Sequence, residues 1–73
     1  MNSDFNLKLG DRIKTARRYA AVWQADLARE CGISQGHLSK IECGHSLPSV
    51  ELLIKIADIL KFELDIKFTI SEG

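Results

Sequence analysis

Two cysteines and two histidines, residue types that often bind zinc, lie close together in the middle of this 73-residue sequence. They are Cys31, His37, Cys43 and His45. Structural zinc sites space their ligands at short, characteristic intervals, and these four residues match none of the usual patterns. The simpler interpretation is that Cys31 is a small buried residue at a helix end and Cys43 is a free thiol near a turn. We therefore expect no metal and no cofactor.

The sequence offers little for catalysis. It contains no glycine-rich phosphate loop, no paired carboxylates in a plausible cleft and no nucleophile–base motif. A helical domain of this size also leaves little room for a substrate pocket. We therefore predict that the protein is not an enzyme.

Composition and charge indicate one small globular domain. Apolar residues make up 45% of the chain and charged residues 27%, which is an ordinary folded mixture. No apolar run approaches the roughly 20 residues of a membrane helix, and "MNSDFNLKLG" lacks the layout of a signal peptide. We expect a cytoplasmic protein with no membrane contact. The net charge is zero, which argues mildly against nucleic acid, but the segment through His45 is slightly basic and the remainder slightly acidic.

Apolar spacing predicts four helices. The first runs from Leu9 to about Ala20, with Leu9, Ile13, Ala16 and Ala20 on one stripe. The second, 24–31, buries Leu27, Ala28 and Cys31 and ends at Gly32, a residue that adopts the left-handed conformation easily. The third, from the N-cap Ser34 to about Glu42, turns Leu38 and Ile41 inward. The fourth follows Pro48 and the N-cap Ser49, and its apolar stripe is Leu53, Ile56, Ala57 and Leu60.

The last part of the chain changes its period. In "FELDIKFTI" the apolar residues alternate strictly with polar ones, which predicts a half-buried β-strand. A lone strand cannot satisfy its own backbone hydrogen bonds, so it must pair with a second copy or with another protein. We therefore divide the chain into a flexible N-terminus (1–8), a helical domain (9–61) and a C-terminal dimerisation strand (62–70).

The break between the second and third helices indicates a function. A short helix, a glycine turn and a second short helix describe a helix-turn-helix. In that motif the first helix rests across a DNA backbone and the second lies in the major groove. The spacing alone is weak support, because any small helical bundle contains such turns.

Residues 9–60 resemble the Cro/C1-type (XRE-family) helix-turn-helix domain. The resemblance is carried by "RIKTARR", "QADLARECGISQGHLSKIECG" and "LPSVELLIKIADIL". It implies an all-α, lambda-repressor-like bundle of four or five helices, to which this chain adds one C-terminal β-strand pairing across a dimer. That strand is not general to the family and is similar to the tail of HipB-like antitoxins.

The resemblance also implies roles for individual residues. Gln35 opens the recognition helix and would make a paired contact to adenine, while Lys40 would reach guanine or a phosphate. Gln24, with the first amides of its helix, resembles a phosphate clamp. Arg17 and Glu42 match a structural ion pair between helices one and three. The implied DNA-binding residues are Gln24, Ser34, Gln35, Gly36, His37, Ser39 and Lys40.

Each role has a plainer alternative that stays open. Gln35 and Lys40 also fit solvated surface positions, and His37 fits a phosphate neighbour or an idle surface residue. Gly36 stands where the family often has a longer reading residue, which removes one base contact. Trp23 replaces the family's usual N-cap residue and cannot cap. It would pack in the core, the favoured placement, or against a sugar–phosphate backbone.

The leading hypothesis is a homodimeric repressor that binds double-stranded DNA at a palindromic operator. Its dimer contacts would come from Leu52, Ile59, Phe62, Leu64, Ile66, Phe68 and Ile70. The alternative is a HipB-like antitoxin that neutralises a toxin resembling a HipA-type kinase and autoregulates its operon. A phage regulator or a restriction–modification controller is a closer alternative to the repressor, because both also bind DNA. The sequence does not distinguish among these functions.

Overall fold

The computed structural model describes residues 2–61, which form four α-helices. Helix α1 spans Asn2–Tyr19, α2 Gln24–Cys31, α3 Gln35–Glu42 and α4 Val50–Leu60. The prediction of four helices is confirmed over this range. The predicted strand 62–70, with Phe62, Leu64, Ile66, Phe68 and Ile70, lies outside the described residues.

Helix α1 begins at Asn2, so the predicted start at Leu9 is wrong. Asp4 lies in the first turn, where its negative charge is attracted to the positive end of the helix dipole. Lys8 Nζ lies 3.7 Å from Asp4 Oδ2, one helical turn away. Leu7 lies against Gly44: its side chain and Cα are 2.7 to 3.0 Å from the place a Cβ on Gly44 would occupy. The first residues of α1 are mostly polar, so their helical structure was not predicted. The Asp4–Lys8 pair and the contact between Leu7 and Gly44 stabilise it.

The ends of the first three helices share one hydrogen-bond arrangement. After α2, Gly32 adopts φ 75°, while Ile33 N donates to Ala28 O and Gly32 N donates to Arg29 O. Equivalent pairs of bonds follow α1 at Ala21 and α3 at Gly44, with φ values of 59° and 83°. Each pair satisfies carbonyls that a helix end leaves free. The prediction that Gly32 ends the second helix is confirmed.

All four helices contribute to one core. Its fully buried side chains are Ile13, Leu27, Leu38, Ile41 and Ile56. The predicted stripes of α2, α3 and α4 are confirmed, since Leu53, Ala57 and Leu60 are also buried. Ala20 is an exception, because it follows the end of α1 and is exposed.

Gly10 brings α1 close to the end of α3. A Cβ at this position would meet the carbonyl oxygens of Ile41 and Glu42. The absence of a side chain at Gly10 therefore permits the contact between these helices. Within residues 2–61, none of the helices combines the length and the apolar content that crossing a bilayer requires.

Candidate nucleic-acid interface

The turn between α2 and α3 is held at both ends. Gly32 closes α2, and Ile33 is half-buried and packs against the core. Ser34 then caps α3, because its Oγ accepts a hydrogen bond from His37 N at 3.0 Å. Ser49 caps α4 in the same way with Leu52 N at 3.1 Å. Both predicted N-caps are confirmed, and each typically contributes about 1 kcal/mol.

Helix α3 has one buried face and one open face. Leu38 and Ile41 fix the helix to the core. Most of the predicted DNA contacts lie on the open side: Ser34, Gln35, Gly36, His37 and Lys40 are exposed, and Ser39 is half-buried. A short helix is thus fixed by its apolar face, while Gln35, His37 and Lys40 remain accessible to a ligand.

Gln24 joins the start of α2 to the start of α3. Its Oε1 accepts a hydrogen bond from Gln35 Nε2 at 3.2 Å. Its Nε2 donates to Glu42 Oε1 at 3.1 Å. The Gln24 amide is therefore held on both sides, and it limits the orientations that the exposed Gln35 amide can adopt.

Arg17 and Glu42, which the resemblance pairs, form a two-point salt bridge. Arg17 Nε donates to Glu42 Oε2 at 2.7 Å, and Nη2 donates to Oε1 at 3.0 Å. Arg17 Nη1 also donates to Val22 O at 3.0 Å. Only 2% of the Glu42 side chain is exposed, so water cannot stabilise its negative charge. The hydrogen bonds from Arg17 take the place of that water. The pair fixes α1 to the C-terminal end of α3.

An open cleft of about 950 Å³ runs between the end of α1, the start of α2 and α3. Three of the predicted contact residues, Gln24, Gln35 and Ser39, line it together with Lys14, Arg18 and Trp23. His37 instead lines a second hollow, of about 280 Å³, beside α4. Gly36 and Lys40 line neither hollow. The structure therefore brings together only part of the predicted set.

The placement of Trp23 in the core is wrong. Its side chain is 77% exposed, and its backbone is extended with φ −72° and ψ 146°. Trp23 occupies the N-cap of α2, outside the helical turns that align Leu27 and Cys31 with the core. Within residues 2–61 its side chain makes no capping hydrogen bond, as the sequence predicts.

The charges around the cleft favour an anion. Asp26 pairs with Arg29 at 2.8 Å, and Glu42 is neutralised by Arg17. Lys14 and Arg18 take part in no salt bridge within the part of the chain that the structure describes. The sequence shows them as an i, i+4 pair on α1, a pattern that by itself is typical of an ordinary solvated helix face. Their position beside α2 and α3 follows from the packing of α1, which the sequence alone does not reveal.

Neither cysteine is in a disulfide within residues 2–61. Cys31 is buried, and burial raises the pKa of its thiol, an effect that nearby Lys55 partly opposes. Cys43 is exposed and lines the cleft. Among the described residues, no three histidine, cysteine or acidic side chains come together as a metal site would require.

Comparison with known proteins connects this geometry to a family. The helix-turn-helix family HTH_3 matches residues 13–67. The cryptic phage CTXphi transcriptional repressor RstR of Vibrio cholerae is 39% identical over 59 residues, which cover 81% of this chain and 53% of the relative. The ImmF control region 10 kDa protein of Bacillus phage phi105 is 37% identical over 59 residues, covering 81% of this chain and 66% of the relative. The chain thus spans about half to two thirds of the length of these relatives.

Proposed function

The chain belongs to the Cro/C1-type (XRE) helix-turn-helix family, and on that premise we propose that it represses transcription by binding double-stranded DNA at specific sites. The observation that carries the proposal is the division of α3 into a buried apolar face and an exposed polar face. An α-helix of this kind fits the major groove of B-DNA, where base edges can be read.

Gln35 is the principal base-reading residue of this proposal. A glutamine amide can donate to adenine N7 and accept from adenine N6. Gln35 lies in the first turn of α3, and the bond from its Nε2 to Gln24 leaves its Oε1 and its second N–H hydrogen for the base. The support is therefore an exposed amide whose orientation is already restricted.

The neighbouring residues have lesser roles. Gly36 leaves open space, since no described atom beyond its chain neighbours and the adjoining backbone of α3 lies within 4 Å of the place its Cβ would occupy. A DNA strand can approach closely there. Lys40, on the exposed side of α3, binds guanine or a phosphate, and Ser39 and His37 contact the groove wall or the backbone. Ser34 contributes as the N-cap that orients the helix, since its Oγ already bonds His37 N.

Phosphate contacts set the position of the protein on DNA. Gln24 stands at the start of α2, where backbone N–H groups of the first turn point out of the helix. Lys14 and Arg18 line the same cleft. These groups supply the sequence-independent part of the affinity, which weakens as salt is added.

The protein acts as a homodimer on a palindromic operator. One protomer offers one reading helix, and two copies would reach successive major grooves about 34 Å apart. Leu52 and Ile59, expected at the dimer interface, are half-buried against the protomer's own core. Leu47, Val50 and Ile54 are more than half exposed and offer more apolar surface to a second copy. The alternating sequence of residues 62–70 supplies the remaining contacts.

The antitoxin alternative, with a toxin resembling a HipA-type kinase as partner, depends on the sequence of residues 62–70. Both relatives carry phage names, and one is called a transcriptional repressor. The phage-type regulator is therefore the better supported function. Co-purification of a stable protein partner from the native host would favour the antitoxin instead.

Selection of bound duplexes from a random DNA pool tests the proposal. We expect enrichment of a palindrome whose half-sites lie about one helical turn apart. An unenriched pool, with no retained duplex at low salt, would overturn the DNA-binding function. Enrichment of a single half-site, together with a monomer in native mass spectrometry, would overturn the dimer alone.

A further inference from the structure

Trp23 is the single tryptophan of the chain, and it projects from the protein surface at the start of α2. A large aromatic side chain that is 77% exposed leaves much apolar area in water. Its backbone is nevertheless fixed, because Trp23 O accepts a hydrogen bond from Leu27 N at 3.0 Å. Tryptophan combines an apolar body with an N–H donor, which suits an interface that is partly apolar and partly polar.

The neighbours of Trp23 define what this interface would bind. Lys14 and Arg18 line the same cleft from α1, and Gln24, Gln35 and Ser39 line it from α2 and α3. The acidic residues of the cleft are paired with arginines. A ligand here must therefore present negative charge and an apolar surface together, and a nucleic-acid backbone presents both in its phosphates and the C–H groups of its deoxyribose rings.

We propose that Trp23 is a DNA-contact residue whose indole packs on deoxyribose rings of the strand beside the groove that α3 enters. Its Nε1–H donates to a phosphate of that strand, and Lys14 and Arg18 bind the flanking phosphates. This assignment rests on the proposed function and extends it. Because Trp23 contacts the backbone and not the base edges, its contribution is independent of sequence.

The tryptophan itself provides the first test, since all indole emission comes from one position. Titration of the protein with the selected duplex should shift or quench this emission in step with binding measured by an independent method. Trp23→Ala should weaken binding to the selected duplex and to an unrelated duplex by the same factor, about tenfold. Trp23→Phe should retain most of the affinity.

A salt series separates the aromatic contact from the charged ones. Trp23→Ala should leave the slope of log affinity against log salt unchanged, whereas Lys14→Ala should reduce it by about one. Tyr19→Ala is the matched control, because Tyr19 is 93% exposed at the end of α1 and does not line the cleft. It should bind DNA like the wild type.

The outcomes distinguish this assignment from the function on which it rests. If the wild type binds no DNA, the proposed function fails. If it binds DNA with unchanged emission while Trp23→Ala binds equally well, the assignment of Trp23 fails and the function stands. If Trp23→Ala does not fold, the emission of the wild type decides, and an indole that stays in water on binding rejects the contact.

Discussion

Gln24 Oε1 accepts a hydrogen bond from Gln35 Nε2 at 3.2 Å, which links the first residues of α2 and α3. Gln24 is in turn bonded to Glu42, whose carboxylate is buried and paired with Arg17. An exposed amide on the proposed DNA-binding face is therefore connected, through two hydrogen bonds, to the interior of the protein. This connection can be tested at its outer and inner ends separately.

At the outer end, Gln35→Ala should relax base preference at particular operator positions and cost about 1–3 kcal/mol of binding free energy. Affinity for unrelated duplexes should change little, because phosphate contacts remain. Binding-site selection with the variant measures both effects. Thr15→Ala, at an exposed position on α1, is the control. A preference profile identical to that of the wild type would reject Gln35 as a reader.

At the inner end, Glu42→Ala should lower the free energy of unfolding by about 3–5 kcal/mol, because it leaves the Arg17 guanidinium largely buried without a counter-charge. Urea unfolding followed by circular dichroism measures the change. Replacing both partners, with Arg17→Met and Glu42→Leu, should recover much of this loss, since no uncompensated charge remains. A loss below about 1 kcal/mol for the single variant, as for a surface ion pair, would contradict the burial argument.

Two glycines should respond in opposite ways to the same substitution. Gly10→Ala should destabilise the protein by about 1–3 kcal/mol, because its Cβ would meet the carbonyl oxygens of Ile41 and Glu42. Gly36→Ala should stabilise it by up to about 1 kcal/mol, since space is open there and alanine favours a helix. Thermal unfolding of the two variants in parallel provides the measurement. Equal stabilities would show that α1 and α3 do not approach closely at Gly10.

The two thiols should differ in reactivity. Burial raises the pKa of Cys31, so at a given pH its reactive thiolate fraction is smaller than that of an ordinary cysteine. Cys43 is exposed. Alkylation of the folded protein at pH 8 should therefore label Cys43 first, and mass spectrometry of proteolytic fragments identifies the site. Rapid labelling of Cys31 in the folded protein would contradict its burial, while labelling of both after denaturation is the control.

Features that depend on a few adjacent residues were predictable from the sequence. The left-handed Gly32 and the caps Ser34 and Ser49 were identified correctly, because a hydrogen bond within one turn determines each of them. The inward faces of α2 to α4 followed from helical periodicity. Together these features fix how α3 is presented to a ligand.

Features that depend on distant contacts were not predictable. Gly10 has no distinguishing neighbours in the sequence, and its role appears only when α1 lies on the end of α3. The start of α1 was missed because Leu7 gains its partner, Gly44, from far along the chain. The exposure of Trp23 follows from an extended backbone at one residue, whereas its apolar character alone favoured the core.

If α3 reads DNA as proposed, the shared carboxylate of Glu42 limits how the protein can acquire a new target sequence. Lys40 is exposed, so its substitution would change the contacts of α3 with DNA and leave the stability of the fold almost unchanged. Exchange of Gln24 would disturb the group that also shields a buried charge. Substitutions at the exposed residues of α3 should therefore change the preferred operator more readily than substitutions at Gln24. We expect Gln24 to be kept in variants with different DNA specificities.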